Sequence, residues 1–165
     1  MLTRPRFEYV TYIATTPEKL WQALVDPDQM RQYWIDRSGG DPGHVNVSDW
    51  KPSSPWEHQR LDPARTVDVV GKIVESTAPR RLALTWARPN ESGDRAKHSR
   101  VSFDVEPKGD LLVRLAVTHE DLEPDPKMLA DISAGWSMVL SNLKTLLETG
   151  RPLQNALEAT SSSTR

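Results

Sequence analysis

Four histidines, His44, His58, His98 and His119, hold most of the acid–base and metal-binding capacity of this chain. Their placement argues against both uses. They stand far apart, with no HxH or HExxH pattern and no carboxylate at ligand spacing beside them. His119-Glu120-Asp121 is the one dense polar cluster; it falls where a strand meets a loop and reads as a solvated strand end. With no cysteine anywhere, disulfides, thiolate catalysis and zinc–thiolate sites are excluded together. A strained-serine motif such as GxSxG is missing, and Ser137 and Ser141 simply follow helical spacing. The glycine-rich SGGDPG (38–43) lacks the lysine and the following helix of a phosphate loop. The sequence therefore assigns no metal, no cofactor and no catalytic residue.

What it does offer is indole. Six tryptophans stand against two phenylalanines. Tryptophan is large and carries one N–H donor, so several in a small domain line a cleft or fill a core. Trp21 belongs under a helix. Trp34, Trp50, Trp56, Trp86 and Trp136 come from different elements and can converge on one interior. Among the polar residues on strands, Glu57, His58 and Arg60 follow Trp56 in a weakly patterned segment. An inward-pointing group there would orient a molecule stacked on the indoles.

The totals bound the rest. A chain of 165 residues fits one domain with a real core. Its charges nearly cancel, 21 Lys+Arg against 23 Asp+Glu, so nothing points to nucleic acid. No apolar run approaches the ~18 residues of a membrane span, and the first residues, MLTRPRFEYV, have no apolar signal core. A cytoplasmic protein with no membrane contact is expected, organised as one domain over residues 1–153 with a disordered tail over 154–165.

The positioning elements follow from periodicity. FEYVTYIA alternates as a first strand. TTPEKLWQALVD starts a helix on Thr15 or Thr16 with Pro17 in the first turn, and Pro27 breaks it before a second short helix capped by Asp26 or Asp28. HVNVSDW and WEHQRL suggest short strands. RTVDVVGKIVES, RRLALTWA, HSRVSFDVEP and DLLVRLAVTHE are firmer ones, with Gly71 a bulge or close approach and Gly109 available for positive φ in a tight hairpin. A long apolar stripe, Leu129, Ile132, Trp136, Val139, Leu143 and Leu146, then predicts a helix of about twenty residues ending at Gly150. An antiparallel meander with one apolar face needs a cover, and this helix is the element long enough to supply it. Gly135 sits beside Trp136 in its early turns, where glycine costs roughly 1 kcal/mol against alanine.

The front segment YIATTPEKLWQALVDPDQMRQYW and the back segment GWSMVLSNLKTLLETGRPL resemble a bacterial family. Its members are similar to the C-terminal domain of the activator of the ninety-kilodalton heat-shock protein's ATPase, within the SRPBCC superfamily. The resemblance runs from Phe7 to Leu153 and is loose between Ser38 and Asp62. It implies an α+β helix-grip (START-like) fold, a curved antiparallel sheet around a long C-terminal helix. In such proteins the N-terminal half of that helix crosses a cavity mouth, which would place Gly135 at the crossing. Gly135 either leaves volume there or lets another element approach closely.

The expected function is binding of a small hydrophobic or aromatic molecule between sheet and helix. Its lining would comprise Trp34, Trp50, Trp56, His58 and Trp86, with Phe103 from the sheet and Met128, Ile132, Gly135, Trp136 and Val139 from the helix. Two alternatives stay open: an interaction module for a heat-shock chaperone, and a cyclase- or hydratase-type enzyme using the same cavity. The oligomeric state expected is monomer or homodimer.

Overall fold

The computed structural model describes residues 4–37 and 40–153. The tail expected to fray (154–165) and the first two residues of SGGDPG lie outside them. Strand β1 (Phe7–Ile13) leads into helices α1 (Pro17–Val25) and α2 (Pro27–Tyr33). Six strands follow: β2 (His44–Ser48), β3 (Pro55–Arg60), β4 (Val67–Thr77), β5 (Arg81–Trp86), β6 (Ser99–Gly109) and β7 (Leu112–Glu120). Helix α3 (Pro126–Thr149) closes the domain. The seven strands form one antiparallel sheet in the order β1-β7-β6-β5-β4-β3-β2. The two short helices thus carry the chain from one edge strand to the other, and α3 lies in the concave face. This is the α+β helix-grip architecture.

Each helix begins with the same local device. Thr16, Asp26 and Asp125 cap α1, α2 and α3 by accepting the backbone N–H of Lys19, Asp28 and Lys127, and a proline occupies each first turn. The missing proline N–H is one that the helix start could not have paired anyway. Helix α3 stops at Gly150, whose φ of 79° is the left-handed conformation glycine adopts without strain.

Strands β1, β5, β6 and β7 turn Ile13, Leu82, Leu84, Val101, Phe103, Val105, Val113, Leu115 and Val117 inward by simple alternation. The C-terminal half of α3 packs Val139, Leu140, Leu143 and Leu146 onto them. Asn142 lies fully buried within that apolar stripe. Its Nδ2 donates to the carbonyls of Tyr33 (3.1 Å) and Ile35 (2.7 Å), which ties α3 to the end of α2. The Tyr33 hydroxyl in turn donates to Ala23 O at 2.6 Å, binding α2 to α1. Three helices are thereby fixed to one another by buried polar groups whose partners are backbone.

One turn departs from expectation. The β6–β7 hairpin is tight, but Gly109 is not in the left-handed region: it pairs with Leu112, leaving Asp110 and Leu111 to make the turn. The RPNESGDRAK segment between β5 and β6 contains two single 3₁₀ turns, Pro89–Glu91 and Arg95–Lys97.

Gly71 is a site of close approach. On β4 it lies between Trp56 of β3, its paired residue, and Thr85 of β5. The Trp56 indole N–H crosses this position to donate to Thr85 O at 2.7 Å. A Cβ at Gly71 would overlap the Thr85 carbonyl and the Trp56 nitrogen. Gly71→Ala is therefore expected to cost about 1–3 kcal/mol by overpacking, read from urea unfolding. Gly109→Ala, with nothing within 4 Å of its Cβ, serves as the near-neutral control.

Candidate functional site

The packing of α3 divides the concave side into two regions. From Pro126 to Gly135 no helix residue is buried; from Trp136 onward the buried positions begin. Beneath the packed half the interior is filled. The space among Leu24, Tyr33, Trp50, Trp56, Phe103 and Leu143 amounts to about 10 Å³, too little for any guest. Beside the unpacked half an open cleft of about 580 Å³ remains. The room between sheet and helix is at the mouth, and indoles fill what lies below.

The structure brings Trp34, His58, Trp86, Ile132, Gly135, Trp136 and Val139 to this cleft. It does not bring Trp50, Trp56 or Phe103, which line the filled interior instead. Met128 faces a neighbouring cleft of about 340 Å³, shared with Trp86 and Ile132. Sequence reasoning missed Ile35, Asp36, Asp41, His44, Asp131, Ala134 and Met138, which complete the wall. Gly135 resolves plainly. A Cβ there would meet nothing within 4 Å, so close approach of another element is not its reason. The residue leaves open volume where α3 crosses the mouth.

Three indoles form the floor. Trp136 packs edge-on to Trp34 at 5.3 Å and tilts toward Trp86 at 6.0 Å between ring centroids. Its N–H donates to His119 Nδ1 at 3.1 Å. His119 must then carry its proton on Nε2, which lies 2.7 Å from Ser99 Oγ, and Ser99 passes its own hydrogen to Trp86 O at 3.3 Å. His119 is fully buried, not a solvated strand end, because it continues the inward alternation of Val113, Leu115 and Val117. Burial lowers its pKa to about 4.

His44 and His58 are likewise not apart. β2 and β3 pair with Asn46 opposite His58 and His44 opposite Arg60, so the two imidazoles are diagonal neighbours on one face. They stack in parallel at 4.2 Å. His58 Nδ1 bonds Asn46 Oδ1 at 2.6 Å, and its ring meets Trp34 edge-on at 5.0 Å. Burial, with repulsion from His44 second, lowers its pKa to about 3. His44 Nε2 donates to Asp68 Oδ2 at 2.8 Å, and Arg60 grips Asp68 with two bonds of 2.7 and 2.8 Å. Arg60, foremost, and then His44 hold the Asp68 carboxyl below the usual range. Glu57 and Arg60 point to solvent, so of the three residues after Trp56 singled out in the sequence, His58 is the inward one. Among the described residues no group of three His, Cys, Asp or Glu side chains is placed to hold a metal ion.

A curved sheet gripping a long helix, with an aromatic mouth beside the helix's free half, defines the helix-grip class. The family model described as "Activator of Hsp90 ATPase homolog 1-like protein" matches residues 14–148, and the chain belongs to that family. Solved structures agree in fold. A Cytophaga hutchinsonii protein superposes with TM-score 0.69 at 22% identity, covering 91% of this chain and 98% of that one. The Aha1 dimer of Colwellia psychrerythraea gives 0.68 at 18%, covering 88% and 98%. An Hsp90 activator from Plasmodium falciparum gives 0.66 at 18%, covering 86% and 95%. No curated protein matches the sequence significantly. No helix among the described residues is long and apolar enough to cross a membrane.

Two predictions follow from this geometry. Both buried histidines have lowered pKa values, so the unfolded chain, titrating near 6.5, binds their protons first. Stability is then full above about pH 6.5 and falls as pH drops toward 4. The thermal midpoint should decline across that window, and His119→Asn should flatten the decline while lowering the midpoint at pH 7. Gly135→Ala, adding a methyl in open space, should raise stability by up to about 1 kcal/mol, measured by urea unfolding.

Proposed function

We propose that the protein binds a small, flat, apolar or aromatic molecule in the mouth cleft beside α3. The observation that carries this is the cleft itself: about 580 Å³, floored by Trp34, Trp86 and Trp136 and flanked by Ile35, Ile132 and Val139. Pockets of roughly 300–1,000 Å³ with apolar walls and few polar groups suit such ligands. Aromatic rings offer large contact area at low entropic cost. The hydrogen-bond chain from Trp136 through His119 and Ser99 to the Trp86 backbone carbonyl fixes the Trp136 indole before any ligand arrives, which reduces the ordering cost of binding. The glycine at the crossing keeps the entrance clear.

A second reading, contact with a heat-shock chaperone through an outer face, draws on the family and on the two neighbours named as Aha1 and an Hsp90 activator. It predicts a change in a chaperone's ATPase rate without any small molecule. In either role the chain acts as a cytoplasmic monomer or homodimer.

Native mass spectrometry of freshly purified protein, followed by thermal shift with the co-purified compound, tests the proposal. A ligand at about 100 times its Kd adds roughly 2.7 kcal/mol to folding. Gly135→Trp, which fills the entrance, should abolish the shift and leave the ligand-free midpoint within a few degrees. A compound that shifts both proteins equally binds elsewhere and defeats the reading.

A further inference from the structure

Every charged side chain lining the tryptophan cleft is acidic. Asp36 and Asp41 stand on the loop after α2 and Asp131 on the early turns of α3, with no lysine or arginine in the lining. Asp131 is 70% exposed, and its contact with Lys127 is long, 3.9 Å. A surface pair of that kind contributes little, so the aspartate's charge still acts on the cleft.

An acidic rim alone marks only a solvated edge. The second observation is His58, which is 8% exposed and lines this cleft. Its Nδ1 is spent on Asn46, and Nε2 makes no hydrogen bond among the described residues. Nor is Nε2 one of the sealed polar atoms left without a partner, which are Thr15 Oγ1, Arg37 Nε, Arg100 Nε and Asn142 Oδ1. It is the polar atom that the buried ring presents to the cleft. A neutral imidazole with its proton on Nδ1 carries a lone pair on Nε2, so the wall holds an acceptor waiting for a donor. The third observation is the partly exposed indole of Trp86 in the floor, because indole faces attract cations more than any other aromatic side chain does.

One ligand chemistry satisfies acceptor, rim and floor together. We propose that the cleft selects a flat aromatic cation bearing N–H donors, of the amidinium or protonated heteroaromatic-amine class. One N–H is accepted by His58 Nε2, the ring lies on the indoles, and the positive charge faces Asp41 and Asp131. This rests on the mouth cleft being the small-molecule site.

The test compares three probes of one size and shape: 2-naphthamidinium, 2-naphthamide and 2-naphthoate, titrated at pH 7 and low salt by calorimetry. The amidinium should bind on the order of tenfold tighter than the naphthoate, with the amide between them. Asp131→Asn, an exposed change that leaves the fold intact, should narrow the gap between amidinium and amide several-fold without moving the amide. His58→Phe should weaken amidinium and amide and leave naphthoate unchanged. Equal affinities for the three, or a preference for naphthoate, overturn the cation assignment while leaving the cleft a binding site. Binding by none of them overturns the assignment and the cleft reading together.

Discussion

The fold turns on where Trp136 is held. Its indole enters the concave face at the point where α3 passes from free to packed, and its N–H ends on His119 of β7. From there the chain of bonds continues through Ser99 to the carbonyl of Trp86. An imidazole sealed from solvent on every side, as His119 is, must have both nitrogens satisfied or pay heavily for desolvation. The relay does that and, in the same act, fixes the depth of the helix over the sheet. Deeper seating would seal the mouth; shallower seating would open the core to water. The cleft exists because the helix is pinned at that one level.

Below the pin, close packing decides the outcome. Trp56, with its N–H spent on Thr85 O across Gly71, and Phe103 fill the volume that many curved sheets leave empty. Interiors tolerate few voids as large as a water molecule, and about 10 Å³ is what remains here. Above the pin the first turns of α3 bury no residue fully, and Ile132 packs only partly against the core. Polar and small residues, Asp131, Ala134 and Gly135, accordingly stand where a packed helix would carry leucine. The same helix is thus core at one end and a rim at the other, and that asymmetry places the cleft.

The polar residues around the cleft divide by how their atoms are spent. Arg60, Asp68 and His44 form a closed chain that orients β2 against β3 and β4. Asp41 accepts the backbone N–H groups of Asp36 and Gly43 and so shapes the loop at the mouth. Ser133, Ser137 and Ser141 donate to the carbonyls four residues back on α3, which removes them from any chemistry. His58 bonds Asn46 through Nδ1 and makes no hydrogen bond through Nε2 among the described residues. Family membership fixes none of this, since one scaffold carries many activities.

Sequence periodicity by itself determined the elements: T-P and D-P caps, alternating strands, a 3.6-residue stripe and a terminal glycine are local signals, each written within a few residues. His119 was legible too, since it keeps the parity of Val113, Leu115 and Val117; its polar neighbours Glu120 and Asp121 drew attention away from that alternation. Asn142 sits between Val139 and Leu143 on the same stripe and could have been marked as a buried anchor. The pairing of His44 with His58 could not be read. It depends on the register between two short strands separated by a weakly patterned segment, and a shift of one residue would turn every side chain of a strand to the other face. Whether five tryptophans enclose a space or fill it was also beyond the sequence. The answer is set by the level at which α3 is pinned, a distance between elements that only tertiary contacts define.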